Sequence, residues 1–417
     1  MYNIFKLNNG LRVVIEDIEY VNSVSVGLWI ENGSRNENHI NNGISHFIEH
    51  MMFKGTYKRT SKEIAESIEN VGGQMNAFTG KETTCFYTKT LYNHLDLSLD
   101  VLSDMILNSR LDCEEIEREK SVVIEEINMC EDSPEDVLND LHSRAIWGDD
   151  PISYPVLGTI NNVNSFTRDM IKNYMENYYV PENSVLSICG KINISEAKMI
   201  IEKYFGNWSS EKSLITNYSS PSILRNNLMR EKKIEQIHLS LGLKGLEVGA
   251  SDLYPMLLAN NAFGGGVSSN LFQKIREELG LCYTVYSFNS SFNNTGTLTI
   301  YTGVSPKYIY LAVEAILEEL KKFSDRGAQD IKLDIAKEQL KGTYILGSES
   351  ISSRMFSNGK SVLILNKVKT PEDIINEIDD ITKEDIEAVI NKTFKKGVYN
   401  SAFVGNGIDM NKINELI

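Results

Sequence analysis

Apolar residues at Ile44, Phe47, Ile48, Met51 and Met52 recur at the three- and four-residue spacing of a single helix face, so 44–52 is expected to be an amphipathic helix with a buried back. A second stripe runs along 112–130 through Ile116, Glu119, Val122, Val123, Glu126, Ile127 and Cys130, and it differs from the first in carrying two carboxylates among its apolar members. Ahead of both, 3–7 and 11–16 flank Asn8-Asn9-Gly10, a hairpin turn, and 23–31 reads as a third strand. Further on, 61–71 is a helix capped by Thr60 or Ser61 and stopped at Gly72-Gly73. A hairpin follows over 75–91, turning at Thr79-Gly80-Lys81-Glu82. Helices near 95–108, 112–130, 134–147 and 165–179, a strand at 184–190 and a helix at 194–205 complete a first set.

The stretch 207–233 holds Ser209-Ser210 and Ser219-Ser220-Pro221 with little apolar periodicity and reads as a linker. After it the order recurs. A strand at 236–243, a helix at 251–263, a helix ending at Gly280, strands at 283–290 and 296–303, long helices over 306–364, shorter ones to 393 and a strand at 399–405 repeat the first set. This predicts an α+β fold made by internal duplication, with two similar α/β-sandwich halves at 1–206 and 234–417.

Chemistry concentrates in His46-Phe47-Ile48-Glu49-His50. Four helical residues advance about 400°, which leaves the two imidazoles roughly 40° apart on one face with Glu49 about 60° to the side. Two imidazoles suit Zn²⁺, and Glu49 stays free to take a proton from zinc-bound water; the order inverts the His-Glu-x-x-His pattern. A catalytic site needs a third protein ligand and an open position. Glu126 is the candidate, because an ionised carboxylate within a buried stripe needs a cation opposite it. Glu125 projects the other way, among solvent-facing charges. Glu119, two turns earlier on the same face, is expected to join the catalytic group by orienting a ligand or the active-site water.

With Glu126 lying 76 positions after His50, the pattern resembles the metal site of the pitrilysin, insulinase and mitochondrial processing peptidase family of zinc metallopeptidases. Gly73-Gln74-Met75-Asn76-Ala77-Phe78-Thr79 and Thr83-Thr84-Cys85-Phe86-Tyr87 resemble that family's strand pair beside the metal. The resemblance implies that the first strand is an edge to which substrate adds as a further strand, with Asn76 and Ala77 at the substrate. The run from Ser268 to Phe288 resembles the segment carrying the family's Arg and Tyr, here Arg276 and Tyr283. That likeness implies that both hydrogen-bond substrate and that Tyr283 helps stabilise the oxyanion.

In the second half, 254–266 occupies the place of the metal helix, but Asn260 stands for His50 and Ala259 for Glu49, so no metal site is expected there. The family likeness as a whole implies a clamshell of two halves enclosing short or unfolded peptides, one Zn²⁺ per chain, and pairing of two chains. Because this chain carries both motifs, a homodimer is expected. The alternative is a non-catalytic peptide-binding or structural subunit of a related two-chain peptidase.

Composition narrows the partners. A net charge of −15 over 417 residues disfavours nucleic acid and anionic membranes, whose recognition relies on clustered Lys and Arg. The five cysteines are odd in number, dispersed and without Cys-x-x-Cys, which fits a reducing compartment. No apolar run approaches the roughly 18 residues of a membrane span, and the first residues carry no targeting pattern, so a cytoplasmic protein is expected.

Overall fold

A computed structural model of the chain describes residues 2–210 and 217–417. In chain order, β1 (Tyr2–Lys6), β2 (Arg12–Asp17) and β3 (Ser23–Ile30) lead to α1 (Ile44–Met52) and α2 (Ser61–Glu69). Next come β4 (Gln74–Thr79), β5 (Thr84–Leu91), α3 (Leu95–Leu107), α4 (Cys113–Asp132) and α5 (Pro134–Trp147). Helices α6 (Ile160–Ser165) and α7 (Arg168–Tyr178), strand β6 (Ser184–Gly190) and helix α8 (Ile194–Phe205) follow. The remainder is β7 (Asn227–Glu231), β8 (Ile237–Lys244), α9 (Leu253–Gly264), a π-helical turn at Phe272–Glu278, β9 (Cys282–Phe292) and β10 (Thr295–Val304). It closes with α10 (Ile309–Asp330), α11 (Leu333–Gly347), α12 (Ile351–Leu365), α13 (Pro371–Asp379), α14 (Lys383–Lys392), β11 (Asn400–Gly405) and α15 (Met410–Leu416).

The duplication is written into the strand pairing. One sheet has the order β1-β2-β6-β3-β5-β4 and the other β7-β11-β8-β10-β9. β2 and β6 pair parallel, as do β7 and β11, and every later pairing in both sheets is antiparallel. The second sheet therefore repeats the first without its β1. This is the expected α+β fold with two similar halves.

The expected linker over 207–233 contains the strand β7, which the sequence reading did not include. This strand is five residues long, lies at a sheet edge and is exposed over its last three positions, so it shows no alternation from which a strand could be read. Trp208, also inside that range, is buried in the first core. Residues 211–216 of the expected linker lie outside the described residues.

The compact units are also not continuous in the chain, which corrects the boundaries at 206 and 234. One unit comprises Met1–Asn128, Pro155–Asn217 and Leu346–Lys369, the other Met129–Tyr154, Tyr218–Ile345 and Thr370–Ile417. Helix α12 thus belongs with the first sheet and α5 with the second. In the first unit Val24, Val26, Leu28 and Ile30 enter the main core with Phe47, Ile48 and Met51, while Trp29 meets Val362 and Leu363 of α12 on the opposite face. Close approach makes this possible. A Cβ on Gly27 would lie 2.3 Å from Met355 Sδ, and one on Gly359 would lie 2.2 Å from Trp29 Nε1. A buried Glu16 ties the helix down, accepting from Arg354 Nη1 at 2.5 Å and Asn358 Nδ2 at 2.7 Å. Among the described residues no helix is long and apolar enough to cross a membrane, and no disulfide joins any of the five cysteines.

Candidate metal centre

Helix α1 buries Ile44, Phe47, Ile48, Met51 and Met52, as its periodicity predicts. Its first turn is held from outside. Gly43 at the N-cap has no side chain, and Glu37 supplies the acceptor: Oε2 takes the Gly43 N–H at 2.7 Å and Oε1 the Ser45 N–H at 2.8 Å. Ser45 Oγ lies 3.0 Å from the buried Tyr174 hydroxyl. The apolar back and the anchored N-terminus together set the rotation of the helix, so that His46 and His50 face α4 and Glu49 reaches Thr79 of β4.

On α4, Ile116, Glu119 and Val123 are buried and Glu125 is exposed, as expected, whereas Val122 is 50% exposed and does not belong to the buried stripe. Glu119 and Glu126 both face α1. Ligand-capable atoms of His46, His50 and Glu126 lie within 4.8 Å of one another, and among the described residues no other group of three or more His, Cys, Asp or Glu could hold a metal. Glu126 Oε2 is 3.6 Å from His46 Nε2 and 3.4 Å from His50 Nε2. Donors bound at about 2.05 Å around a tetrahedral ion are separated by about 3.3 Å, so the spacing fits Zn²⁺. The donor set, two imidazoles and one carboxylate, fits as well.

Outside the donors, His50 Nδ1 lies 2.8 Å from Glu119 Oε1, and Lys54 Nζ lies 2.5 Å from Glu119 Oε2. Glu119 thus contacts the outer nitrogen of the His50 ring with one oxygen and the Lys54 ammonium with the other. Burial and the neighbouring His50 push His46 down to about 4. Burial alone would also lower His50, but the carboxylates of Glu119 and Glu126 outweigh it and hold that ring up at about 9. Contact with His50 keeps Glu126 below the usual carboxylate range. The electrostatics thus favour positive charge between the rings and the two carboxylates.

Glu49 stands beside the donors and is not one of them. Its Oε2 accepts from the Thr79 hydroxyl at 2.5 Å. Burial pushes the Glu49 carboxyl upward, with the Thr79 hydrogen bond and His50 opposing that rise.

Residues 12–160 match the insulinase family, peptidase family M16, and residues 165–340 match the M16 inactive domain. The uncharacterized zinc protease YmxG of Bacillus subtilis is 44% identical over 390 residues, covering 94% of this chain and 95% of that protein. The chain belongs to peptidase family M16. An uncharacterized zinc protease of Mycobacterium leprae is 36% identical over 407 residues, covering 96% of this M16 chain and 90% of its own length. The fold matches the crystal structure of a protease from Helicobacter pylori with a TM-score of 0.89 at 24% identity, over 97% of this chain and 99% of that one. It also matches an M16 inactive domain from Pseudomonas fluorescens with a TM-score of 0.91 at 17% identity, over 98% of each chain.

The remaining expected residues of this M16 chain divide between the two units. Asn76 and Ala77 lie on β4, which among the described residues pairs only with β5 and is the edge of the first sheet. Asn76 is exposed, and its Oδ1 accepts the Ala77 N–H at 2.8 Å. Arg276 and Tyr283 belong to the second unit. The Arg276 guanidinium lies 4.8 Å from the Tyr283 ring centre and 4.6 Å from that of Phe272, and Tyr283 is 78% exposed. In the corresponding helix α9, Asn260 is closed off by Ser287, whose hydroxyl donates to Asn260 Oδ1 at 2.6 Å while Asn260 Nδ2 donates to the Ser287 carbonyl at 3.1 Å.

Sequence reasoning missed Thr79, Lys54 and Glu37. Thr79 was legible only as the end of a strand and the start of a turn. Lys54 did carry a signal, because it continues the four-residue spacing of His46 and His50.

Proposed function

We propose that this M16 chain is a zinc-dependent endopeptidase that hydrolyses peptide bonds in short or unfolded peptides. The observation that carries the reading is the convergence of His46 Nε2, His50 Nε2 and Glu126 Oε2, with Glu49 adjacent and outside the donor set.

His46, His50 and Glu126 would hold one Zn²⁺ per chain, and the ion when bound supplies Lewis-acid polarisation of the scissile carbonyl and acidifies water. Glu49 takes a proton from the attacking water and returns it to the leaving amine. Thr79 fixes the Glu49 carboxylate and Glu119 fixes the His50 ring. The free edge of β4 takes an extended peptide as an added strand, since unpaired main-chain N–H and C=O groups give affinity whatever the side chains are. Asn76 and Ala77 stand at that edge. Arg276 and Tyr283 hydrogen-bond substrate carbonyls, with Tyr283 also on the oxyanion. The same reading makes the protein a cytoplasmic homodimer, which light scattering tests; a stable, active monomer contradicts the dimer.

The deciding experiment is Glu49→Gln in a quenched-peptide assay with zinc measured in parallel. Cleavage should fall by about 10²- to 10⁴-fold while zinc content holds. Persistent cleavage would remove Glu49 as the base, and zinc-free wild type that cleaves normally would remove the metal from the reaction.

A further inference from the structure

His46, His50 and Lys54 are spaced four apart, and the turn that ends α1 continues far enough to bring the third onto the stripe of the other two. The Phe53 N–H donates to the His50 carbonyl and the Lys54 N–H to the Met51 carbonyl, both at 3.1 Å. Opposite them, Glu119 and Glu126 are two turns apart on α4. The stripes interlock: Glu126 reaches His46 and His50, while Glu119 reaches His50 and Lys54.

We propose that Lys54 is a positioning residue for the metal centre, acting through Glu119 on His50; this rests on the zinc-peptidase reading above. Glu119 has a side chain only 4% exposed, and each oxygen has one partner, His50 Nδ1 at 2.8 Å and Lys54 Nζ at 2.5 Å. A buried carboxylate with one partner removed is costly, so without Lys54 the Glu119 side chain turns outward to water or rotates away from His50. In either event His50 loses the acceptor that fixes its ring and presents Nε2 towards Glu126. His46 has no compensating support, since its Nδ1 is buried without a hydrogen-bond partner among the described residues. The orientation of the imidazole pair from outside the donor set therefore depends on Glu119, and the orientation of Glu119 on Lys54.

Coulomb's law alone points the other way, because removing an ammonium should favour a nearby cation. Lys54, however, sits on the oxygen of Glu119 that faces away from His50. Loss of an outer partner of a metal-bound histidine typically costs 10- to 100-fold in affinity, and the orienting effect prevails.

The test is the Zn²⁺ affinity of the full chain, measured by competition with a chromophoric chelator, with the Co²⁺ absorption spectrum as a second readout. Lys54→Met should bind Zn²⁺ about 10- to 100-fold more weakly and alter the Co²⁺ spectrum, and Lys54→Arg should stay within about threefold of wild type. In a Glu119→Gln background, Lys54→Met should add no more than about threefold, because the two act in series. Equal or tighter binding by Lys54→Met overturns the proposal while leaving the metal site standing. A full additional loss in the Glu119→Gln background also overturns it, by showing a role independent of Glu119. Wild type that binds no Zn²⁺ or Co²⁺ instead overturns the underlying zinc reading.

Discussion

The Thr79 hydroxyl donates to the Glu49 carboxylate at 2.5 Å, joining the edge strand of the first sheet to the helix that carries both imidazoles. On the proposed reading, a peptide strand added to β4 would lie in register with Glu49, since Thr79 belongs to the same strand as Asn76 and Ala77. Hydrogen bonds to charged groups contribute about 1.5–3 kcal/mol. Thr79→Val should therefore lower kcat by about 10- to 100-fold without loss of bound zinc, and Thr79→Ser should restore most of it. Unchanged kcat in the valine variant would show that Glu49 is held by its helix alone.

Glu125 and Glu126 are chain neighbours with opposite surroundings, one exposed and the other facing both imidazoles. Elemental analysis should find about one zinc per chain in wild type and in Glu125→Ala, but a strongly depleted Glu126→Ala. Equal zinc in the two variants would mean that Glu126 is not a ligand.

Glu37 is 3% exposed and accepts from Gly43 N–H, Ser45 N–H and, at 2.9 Å, Asn42 Nδ2. A glutamine there turns an amide NH₂ towards one of these donors. Glu37→Gln should cost about 2 kcal/mol in urea unfolding and loosen the first turn of α1. A wild-type midpoint in this variant would show that the helix start is held by packing.

In the second unit, His142 is buried with Nε2 at 3.1 Å from Asn400 Oδ1, and burial pushes it down to about 4. An unfolded imidazole titrates near 6.5, so on acidification the unfolded chain takes the proton first. The stability contribution is complete above about pH 6.5 and is lost as the pH falls towards 4, with a loss of about 2 kcal/mol between pH 7 and pH 5. His142→Gln keeps a donor for Asn400 and should show a correspondingly smaller acid loss in urea titrations at those two pH values. Identical losses would place the acid sensitivity elsewhere.

Much of the site was legible because helical periodicity is local. The spacing of His46, Glu49 and His50, and of Glu119 and Glu126, assigns each residue to a face without knowledge of what lies opposite. Contacts made across the fold were not legible in this way. Thr79 meets Glu49 over 30 residues of sequence, and Lys54 meets Glu119 over 65, with no pattern that ties one to the other. Val122 shows the complementary limit: a helical projection brackets a stripe, but the width of the groove receiving it sets which flanking residue is covered.

By itself the sequence determined most element types, the duplicated order and the faces on which His46, His50 and Glu126 lie, because each follows from residue chemistry and spacing along a helix. Only the tertiary structure decided that α12 packs on the first sheet and α5 on the second. An amphipathic helix declares that it has a face to bury, but which sheet receives it depends on close approaches such as Gly27 to Met355 and Gly359 to Trp29. Those pairings join residues more than 300 positions apart, and packing complementarity at that range leaves no periodic trace in the chain.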